Sequence, residues 1–531
     1  MANLVSLTHT GKLNRKKGTA PTITETITTT PQIGPDSLDT TDNGEYGSSA
    51  NSVTRIASTY TTAGRHVVFM SEGTASYPEP HAVVATVSGD AILYGTRVDT
   101  GPTPVNHYDN KHGSSIAYDA ANDKVLISQG TDNNHGNFMT VGTISGDSIS
   151  FGSIVGVDTG STPAAVNSMR PQGMVYVGGM GSDTTNRIVL ASIHNQNRDG
   201  ESRVITISGT TPTAHAVADW APQMPGDFCM TYVGNGQVVI AYADGGDDWK
   251  AKVGTVAGGG TNTITWGSEV DLGFTNVNLN QVAIAYDEQN SKVVIACVDT
   301  ATNTRGRYLA GTVSGTGGSA TFTFSGRPEF ETSGTCTAVS AEYHAGAQKI
   351  LISYKSAGSP SPQVIAATYS STSGSQVTYT FGTAIPLMSA STPLMTTTSY
   401  DAQQKKVIVF RDGAIGYKHG LAVDLLQSSM SLDLSTGSYF TADLQVNGTS
   451  SITGLTITES LASGTTQNFV LRSTQGSIPR NFNWDEITNV KWPGGTGPTL
   501  TQTNNAVDVF SFTTFDEGTT WYGDIDGKDI K

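Results

Sequence analysis

The stretch Ser114-Ser-Ile-Ala-Tyr118-Asp119, followed by a polar turn and Lys124-Val-Leu-Ile-Ser-Gln129, decides the fold of this chain. Both runs are short, apolar and rich in β-branched residues, which is typical of two strands joined by a tight turn. The same phrase returns as Gln281-Val-Ala-Ile-Ala-Tyr286-Asp287 and again around Tyr400. Because recurrence at a fixed spacing indicates a repeat architecture, the period has to be established before any local assignment.

The period follows from the tyrosine that ends the first strand of each unit. Successive tyrosines are 58, 58, 56, 54, 57 and 57 residues apart. In five of the seven units a Val or Ile opens the second strand seven residues after the tyrosine, and the third unit is looser. The seven marker positions are Tyr60, Tyr118, Tyr176, Tyr232, Tyr286, Tyr343 and Tyr400.

Each unit continues with a third strand rich in Gly, Thr and Val, and most have a fourth that alternates polar and apolar residues, such as Thr263-Ile-Thr-Trp266. Alternation with a period of two predicts a half-buried strand. Four antiparallel strands repeated seven times are typical of propeller blades. The sequence therefore predicts an all-β protein, with a seven-bladed β-propeller over residues 21–427 and a small C-terminal β-sandwich-like domain after it.

The last repeat lacks a clear fourth strand, and the N-terminal end of the chain offers one. Pro21-Thr-Ile-Thr-Glu-Thr-Ile27 has the same alternation as the fourth strands of other units. Ring closure removes unpaired sheet edges, which are a liability in β proteins. We therefore expect residues 21–28 to complete the last blade.

Composition restricts the class of protein. The chain has 531 residues, of which 60 are Gly and only 14% are charged, and its net charge is −15. An acidic chain is unsuited to general nucleic-acid binding. No apolar run is long enough for a bilayer, so no membrane insertion is expected. The start of the chain lacks the pattern of a secretory signal, and three cysteines without motif spacing indicate a reducing compartment of synthesis.

The N-terminal residues 1–20 contrast with this acidic chain, because they contain no acid and carry Lys12, Arg15, Lys16 and Lys17. One interpretation is a solvated terminus without further role. The other is a basic peg that attaches the chain to an acidic partner surface in a larger particle. Both interpretations remain open at the level of sequence.

Long, dissimilar loops between the repeats are the expected binding surface. They lie opposite the short turns that follow each first strand, and variable loops on a rigid scaffold usually carry function. Tyr77 and Trp220 are further aromatic residues beside such loops, suited to stacking on sugar faces. The candidate ligand-binding residues are His107, Tyr108, Asp109, His112, Arg198, Asp247, Asp248, Trp249, Arg305 and Arg307.

Catalytic and metal-binding patterns are weak. Glycoside cleavage needs two carboxylates at a set separation, and Glu79, Asp109, Asp199 and Asp247 are the candidates that could meet at a propeller mouth. Asp244-Gly-Gly-Asp247-Asp248 contains oxygen ligands but lacks the order of a known calcium loop. The histidines have no zinc-like spacing. We expect no catalytic residue, no resident metal and no cofactor.

The C-terminal part changes character. Residues 428–460 contain a turn signal, Asn447-Gly448, between two extended runs, and are predicted to form a connector or shaft. Residues 461–531 hold short strands separated by Gly and Pro. Thr514-Phe-Asp516-Glu-Gly518-Thr-Thr-Trp521 fits the Asp-box pattern of sialidase-like proteins, in which that box is a structural turn. It occurs once, outside the repeats, so it is weak support for a sialidase.

Trp492-Pro-Gly-Gly-Thr-Gly-Pro-Thr-Leu500, Val507-Asp-Val-Phe-Ser-Phe512 and the closing Trp521-Tyr522 resemble C-terminal domains of tailed-phage tail fibres and related virion proteins, notably the cyanophage type. The resemblance covers about residues 440–531. It implies a homotrimeric virion component, assembled in the host cytoplasm, with its N-terminal end attached to other tail or adaptor proteins. It carries over no catalytic residues.

These observations together predict a non-enzymatic tail fibre or receptor-binding protein of a bacteriophage, which attaches to host-surface polysaccharide through its long-loop face. Weak sites suit such a role because multivalent display multiplies modest affinities. Two alternatives remain. One is a depolymerase that hydrolyses glycosidic bonds, and the other is a purely structural capsid or neck appendage.

Overall fold

A computed structural model describes the chain in two compact units, which consist of residues 1–28 with 424–531 and of residues 29–423. The described residues are 22–27, 32–33, 52–74, 77–88, 91–101, 114–130, 137–157, 169–179, 183–194, 199–222, 228–244, 248–258, 260–275, 282–299, 305–331, 336–345, 348–356, 362–374, 376–382, 384–386, 396–403, 406–411, 419–423, 425–444, 454–458, 466–475, 481–482, 484 and 489–530. Across these residues regular structure is almost entirely antiparallel strand, with three single-turn 3₁₀ helices. The prediction of an all-β chain is confirmed.

The strands of the larger unit form seven consecutive sheets in the described residues, numbered here sheet 1 to sheet 7. Two strands precede them, β1 (Thr22–Ile27) and β2 (Gln32–Ile33). Sheet 1 contains β3 (Ser52–Tyr60), β4 (His66–Thr74), β5 (Tyr77–Ser88), β6 (Ala91–Tyr94) and β7 (Val98–Asp99). Sheet 2 contains β8 (Ser114–Asp119), β9 (Lys124–Gly130), β10 (Asn137–Ser145), β11 (Ser148–Phe151) and β12 (Val155–Gly156). Sheet 3 contains β13 (Met169–Tyr176), β14 (Ile188–His194), β15 (Gly200–Ser208) and β16 (Thr211–Ala221).

The remaining sheets follow the same plan. Sheet 4 contains β17 (Phe228–Gly234), β18 (Gln237–Ala243), β19 (Asp248–Val256), β20 (Ile264–Trp266) and β21 (Val270–Thr275). Sheet 5 contains β22 (Val282–Asp287), β23 (Lys292–Asp299), β24 (Arg305–Ser314), β25 (Thr321–Phe324) and β26 (Glu329–Glu331). Sheet 6 contains β27 (Cys336–His344), β28 (Lys349–Ser356), β29 (Pro362–Ser373), β30 (Gln376–Phe381) and β31 (Ile385–Pro386). Sheet 7 contains β32 (Thr396–Asp401), β33 (Lys406–Arg411) and β34 (His419–Val423), with β2 as its fourth strand.

The first strand of every sheet lies at one edge of that sheet. These seven strands contact one another in sequence order, from β3 to β8, β13, β17, β22, β27 and β32, and β32 contacts β3 again. The cycle of contacts is therefore closed. Each of the seven marker tyrosines lies at or near the end of one of these inner strands.

The second strands are apolar on both faces because neighbouring sheets cover both. In β4, Val67 and Phe69 belong to a core shared with sheet 2. Val68 and Met70 of the same strand belong to a core shared with Ile408 and Phe410 of sheet 7. A strand that is buried on both faces has a continuous apolar sequence, because side chains on either face contact protein. This explains the repeated runs of Val and Ile in the second strands.

The predicted clasp between residues 21–28 and the last blade is wrong. Strand β1 pairs antiparallel with residues 425–431, which belong to the smaller unit. The strand that completes sheet 7 is β2, where Gln32 lies opposite Ala422 and Ile33 opposite Leu421. Alternation identifies a strand but not its partner, because any free edge of the right length can pair with it.

The smaller unit contains β35 (Leu425–Asp433), β36 (Tyr439–Asp443), β37 (Gly454–Thr458), β38 (Gln467–Thr474), β39 (Val490–Lys491), β40 (Val507–Thr514) and β41 (Trp521–Ile530). One sheet has the order β1-β35-β37 and the other β36-β38-β40-β41-β39. Leu432 and Leu455 of the first sheet share one core with Phe469, Phe512 and Trp521 of the second. Residues 428–460, predicted as a separate connector, thus contribute strands to the same unit as residues 461–531.

Candidate functional site

A cavity of about 350 Å³ lies among the inner strands of the larger unit. Its walls come from the last residues of the first strands of sheets 1, 4, 5, 6 and 7, and from two residues of the short turns, Glu288 and Ala345. Five of the seven marker tyrosines line it, namely Tyr60, Tyr232, Tyr286, Tyr343 and Tyr400. The cavity is therefore built by the repeat itself, at the end of the strands where the short turns begin.

The tyrosines connect neighbouring sheets. The hydroxyl of Tyr60 accepts a hydrogen bond from the backbone N–H of Gln403 in sheet 7 at 3.1 Å. The hydroxyl of Tyr343 likewise accepts from the backbone N–H of Gln289 in sheet 5 at 3.3 Å. Burial raises the pKa of Tyr343 to about 12 and also raises the pKa of Tyr60. These phenols therefore stay protonated at physiological pH and hold each sheet to the turn of the preceding one.

Hydroxyl groups form a second part of the wall. They come from Ser58, Thr59, Thr231, Thr398 and Ser399, all on inner strands. The Oγ of Ser58 lies 3.3 Å from the Oγ1 of Thr397, across the contact between sheets 1 and 7. Aromatic rings beside hydroxyls give the cavity both apolar surface and hydrogen-bonding capacity, which is the usual make-up of a site for a small organic ligand.

Glu342 is the one carboxyl on an inner strand that lines the cavity in the described residues. It directly precedes a marker tyrosine, and the corresponding residues of the other six sheets are Thr59, Ala117, Val175, Thr231, Ala285 and Ser399. Protein surrounds its side chain, which keeps only part of its surface open to the cavity. Burial, and after it the charge of Glu288, raises the pKa of Glu342 to about 8. The carboxyl is consequently mostly protonated at neutral pH, a state in which it can donate a proton.

His66 lies between Ser399 and Asp401 where sheet 1 meets sheet 7. Its Nδ1 is 2.7 Å from the Oγ of Ser399 and its Nε2 is 3.3 Å from the Oδ2 of Asp401. The order of groups is that of a hydrolytic triad, but His66 has no exposed surface from which to pass a proton to a leaving group. Burial lowers the pKa of His66, so the imidazole is neutral and serves as a polar connection between two sheets.

Most of the binding residues predicted from the sequence fall outside the described part of the chain. These are His107, Tyr108, Asp109, His112, Arg198 and Asp247, together with the attachment residues Lys12, Arg15, Lys16 and Lys17. The structure does describe Asp248, Trp249, Arg305 and Arg307, and it does not bring them to the cavity. For the first group the predictions remain predictions.

The prediction that Trp249 and Trp220 are exposed stacking residues is wrong. Trp249 is 2% exposed, inside β19, in a core shared by sheets 4 and 5. Trp220 has no exposed surface, and its Nε1 donates to the carbonyl oxygen of Glu201 at 2.8 Å. Both residues belong to strands that extend further into the expected loops than the Gly and Asp signals indicated.

Arg305 and Arg307 also lie in a strand, β24, and not in a loop. Their guanidinium groups contact the carboxylate of Glu329 at 2.7 and 3.0 Å. The Nη1 of Arg307 donates in addition to the carbonyl oxygen of Arg327 at 3.0 Å. These two ion pairs stabilise the pairing of β24 with β26.

Asp248 contributes to the local structure between β18 and β19. Its backbone N–H donates to the Oδ1 of Asp244 at 3.1 Å, which closes the turn between β18 and β19. Lys250 contacts Asp271 at 3.1 Å and Asp244 at 3.7 Å. Within the described residues no group of three or more acidic, histidine or cysteine side chains is placed to hold a metal ion.

The Asp-box-like segment forms the turn between β40 and β41. The Oδ1 of Asp516 accepts from the Oγ1 of Thr514 at 2.9 Å and from the backbone N–H of Thr520 at 2.8 Å. Trp521 is buried and packs against Phe469 with ring centroids 5.0 Å apart. These contacts make the segment a structural turn of the smaller unit.

Comparisons with known proteins add little about ligands. No protein-family model matches the chain, and no curated protein matches its sequence. Similar solved structures include a fucose-specific lectin from Aleuria aurantia, with 13% identity, a TM-score of 0.35 and coverage of 65% of this chain and 97% of that one. A NanB sialidase mutant from Streptococcus pneumoniae has 9% identity, a TM-score of 0.39 and coverage of 76% and 70%. A mutant of AofleA from Arthrobotrys oligospora has 10% identity, a TM-score of 0.37 and coverage of 65% and 91%.

The prediction that the chain is not an enzyme is corrected by this comparison. Sialidases stand beside lectins among the similar structures, so the exclusion of catalysis has no basis. Likeness at these identities and TM-scores assigns neither activity to this chain. No helix among the described residues has the length and apolar character needed to cross a membrane.

Proposed function

We propose that the seven sheets are the blades of a seven-bladed β-propeller, that the smaller unit is a sandwich-like C-terminal domain, and that the chain binds glycans. The observation that carries this proposal is the cavity among the inner strands. It offers five tyrosines and five hydroxyl side chains around one partly open volume of about 350 Å³. Aromatic rings suit the apolar faces of a sugar, and the hydroxyls and Glu342 suit its hydroxyl groups.

The biological setting that we propose is a bacteriophage tail fibre or receptor-binding protein. The support is the C-terminal sequence resemblance together with a β-rich unit built from the same residues. Under this proposal the basic residues 1–20 attach the chain to other virion proteins, and the protein assembles as a homotrimer that contacts a host-surface glycan. The loops predicted from the sequence are expected at the end of the strands opposite the short turns, so they would form a second contact surface, separate from the cavity.

Hydrolysis of the bound glycan is the second candidate, and a specific observation favours it. Glu342, with its pKa raised to about 8, lines the same cavity as Glu288. A protonated carboxyl beside a second carboxyl is the pairing used by glycoside hydrolases, in which one acts as general acid and the other as base or nucleophile. Glu342 would then protonate the leaving oxygen.

The test uses the purified full-length chain with a panel of bacterial surface polysaccharides. Binding is measured by biolayer interferometry, and new reducing ends are measured in the same samples. We expect saturable binding to at least one polysaccharide, which Thr231→Trp weakens by filling the cavity. Reducing ends that disappear in Glu342→Gln would assign hydrolysis.

A panel without any binding, or binding that is unchanged by Thr231→Trp, would contradict glycan recognition in the cavity. Thr263→Trp, at a position between β19 and β20 outside the cavity lining, is the matched control for the added bulk. Soluble protein that blocks adsorption of the parent phage would support the proposed setting, and unimpaired adsorption would count against it.

A further inference from the structure

We infer that the cavity among the inner strands binds its ligand through an ammonium group, with Glu342 as the counter-ion and the lining tyrosines as the aromatic wall. This deepens the proposed function, on which it rests for the identity of the site, because it adds the charged group that the ligand carries. An amino sugar is one ligand of this class. The inference depends on the position of Glu342, on the charge of the lining and on its aromatic content.

Glu342 has no counter-ion inside the cavity. Among the described residues that line the cavity there is no Lys, Arg or His. The carboxyl of Glu342 has no hydrogen-bond or ion-pair partner within the described part of the chain, although protein surrounds it. A carboxyl that protein partly encloses and that has no partner keeps unused capacity for hydrogen bonds and charge pairing. Because the corresponding position of the other six sheets carries a small uncharged side chain, this capacity is specific to Glu342 and is available to a ligand in the cavity.

The ligand group that pairs with the carboxyl of Glu342 should carry a positive charge. The charge that raises the pKa of Glu342, beside burial, is that of Glu288, which is negative. The chain as a whole has a net charge of −15, which adds to the attraction for cations. A ligand cation would satisfy Glu342 directly, whereas an anion would be repelled by both carboxylates.

An organic ammonium fits better than a metal ion. The described residues contain no cluster of three or more acidic, histidine or cysteine side chains that could hold a metal. Five tyrosines instead line the cavity, and aromatic rings attract ammonium groups through their quadrupole. A cavity of about 350 Å³ also has room for a ligand larger than a bare ion.

Choline and its uncharged carbon isostere, dimethylbutanol, form the test, with binding to the full chain measured by isothermal titration calorimetry. We expect choline to bind at least about tenfold more tightly than the isostere, since only choline gains from the carboxylate and the rings. Glu342→Gln should reduce the choline affinity by about tenfold or more. Glu517→Gln, an exposed change in the smaller unit, is the matched control and should have no effect.

Choline binding should strengthen as the pH rises through about 8, because Glu342 has to lose its proton to act as the counter-ion. Glu288 and the five tyrosines are the other titratable groups that line the cavity. Glu288 is exposed, so Glu288→Gln should weaken binding less than Glu342→Gln. At neutral pH, proton release on binding should make the measured heat depend on the ionisation enthalpy of the buffer.

Equal affinities for choline and dimethylbutanol, or an unchanged choline affinity in Glu342→Gln, would overturn the inference. Absence of choline binding at millimolar concentration would overturn it as well. Tyr286→Leu provides a second variant that keeps the carboxyl and removes one ring, and it should also weaken choline binding. Since choline is not a sugar, this test can fail while polysaccharide binding persists, and the reverse is equally distinguishable.

Discussion

Glu342 shows how one residue can depart from a repeat. It occupies the position directly before the marker tyrosine, where the other six sheets have Thr, Ala, Val or Ser. The raised pKa means that the folded chain keeps a proton that the unfolded chain releases. The folded state therefore loses stability as the pH rises from about 4.5 to about 8, and the loss persists at higher pH.

We predict that Glu342→Gln removes this loss, because an amide does not ionise. The variant should unfold at a higher temperature than the parent protein above about pH 8, and at nearly the same temperature near pH 5. Thermal unfolding followed by circular dichroism across this range is the measurement. Glu517→Gln serves again as control, and a variant curve parallel to the parent curve would contradict a buried carboxyl.

At the scale of elements, the contact between sheets 1 and 7 is the place where the cycle of sheets closes. Three polar connections meet there, because Tyr60 reaches Gln403, Ser58 reaches Thr397, and His66 reaches both Ser399 and Asp401. Since the ring of His66 also packs against Phe410, with centroids 5.9 Å apart, the imidazole is enclosed by both sheets.

We predict that this contact weakens in acid. The pKa of His66 is lowered in the folded state, so below about pH 6.5 the unfolded chain takes up a proton that the folded chain resists. Stability should therefore decline as the pH falls below that value. His66→Gln keeps donors and acceptors but does not titrate, and it should cost about 1 kcal/mol near neutral pH while flattening the decline.

Chemical denaturation at several pH values between about 5 and 8 measures this effect. His215→Gln is the comparison variant: since the pKa of His215 is lowered too, it should also flatten part of the decline, but it lies in β16 and removes no hydrogen bond between sheets 1 and 7. If His66→Gln declines in acid as steeply as the parent protein, His66 is not responsible. Asp401 is the charged group that faces His66 across the contact, and its hydrogen bond partly opposes the effect of burial.

The tyrosine period was sufficient to predict the strand phrases and their order, because two-sided burial leaves a continuous apolar signal in the second strands. The pairing partners at the ends of the chain cannot be predicted from the sequence. The polar–apolar alternation of residues 21–27 is compatible with more than one free strand edge. The aligned repeats also contain a signal for the cavity. Glu342 directly precedes Tyr343, at a position where the other six repeats have a small uncharged residue. The residues before Trp249 indicate a loop in the sequence, whereas Trp249 itself belongs to strand β19.

At the scale of the whole molecule, the N-terminal strands are shared between the two units. Deleting residues 1–17 removes neither strand, so we predict unchanged unfolding and, under the proposed setting, loss of attachment to the phage particle. Deleting residues 1–34 removes both β1 and β2, and it exposes the edges of β35 and β34. This longer deletion should unfold at a lower temperature and aggregate, because open strand edges pair with other chains.

Calorimetry and size-exclusion chromatography of the two deletions side by side provide the measurement. Equal stability and equal monodispersity of both would show that neither strand matters for closure. If the deletion of residues 1–17 lowers the unfolding temperature, these residues contribute to the stability of the fold, contrary to the prediction.

Strands β1 and β2 pair with residues about 400 positions later in the chain. A ribosome that adds about 5–20 residues per second needs tens of seconds to deliver those partners. During that interval β1 and β2 have no partner strands to pair with, and neither unit can be completed. We therefore expect the yield of finished protein to depend on how well the nascent chain is protected from aggregation during this interval.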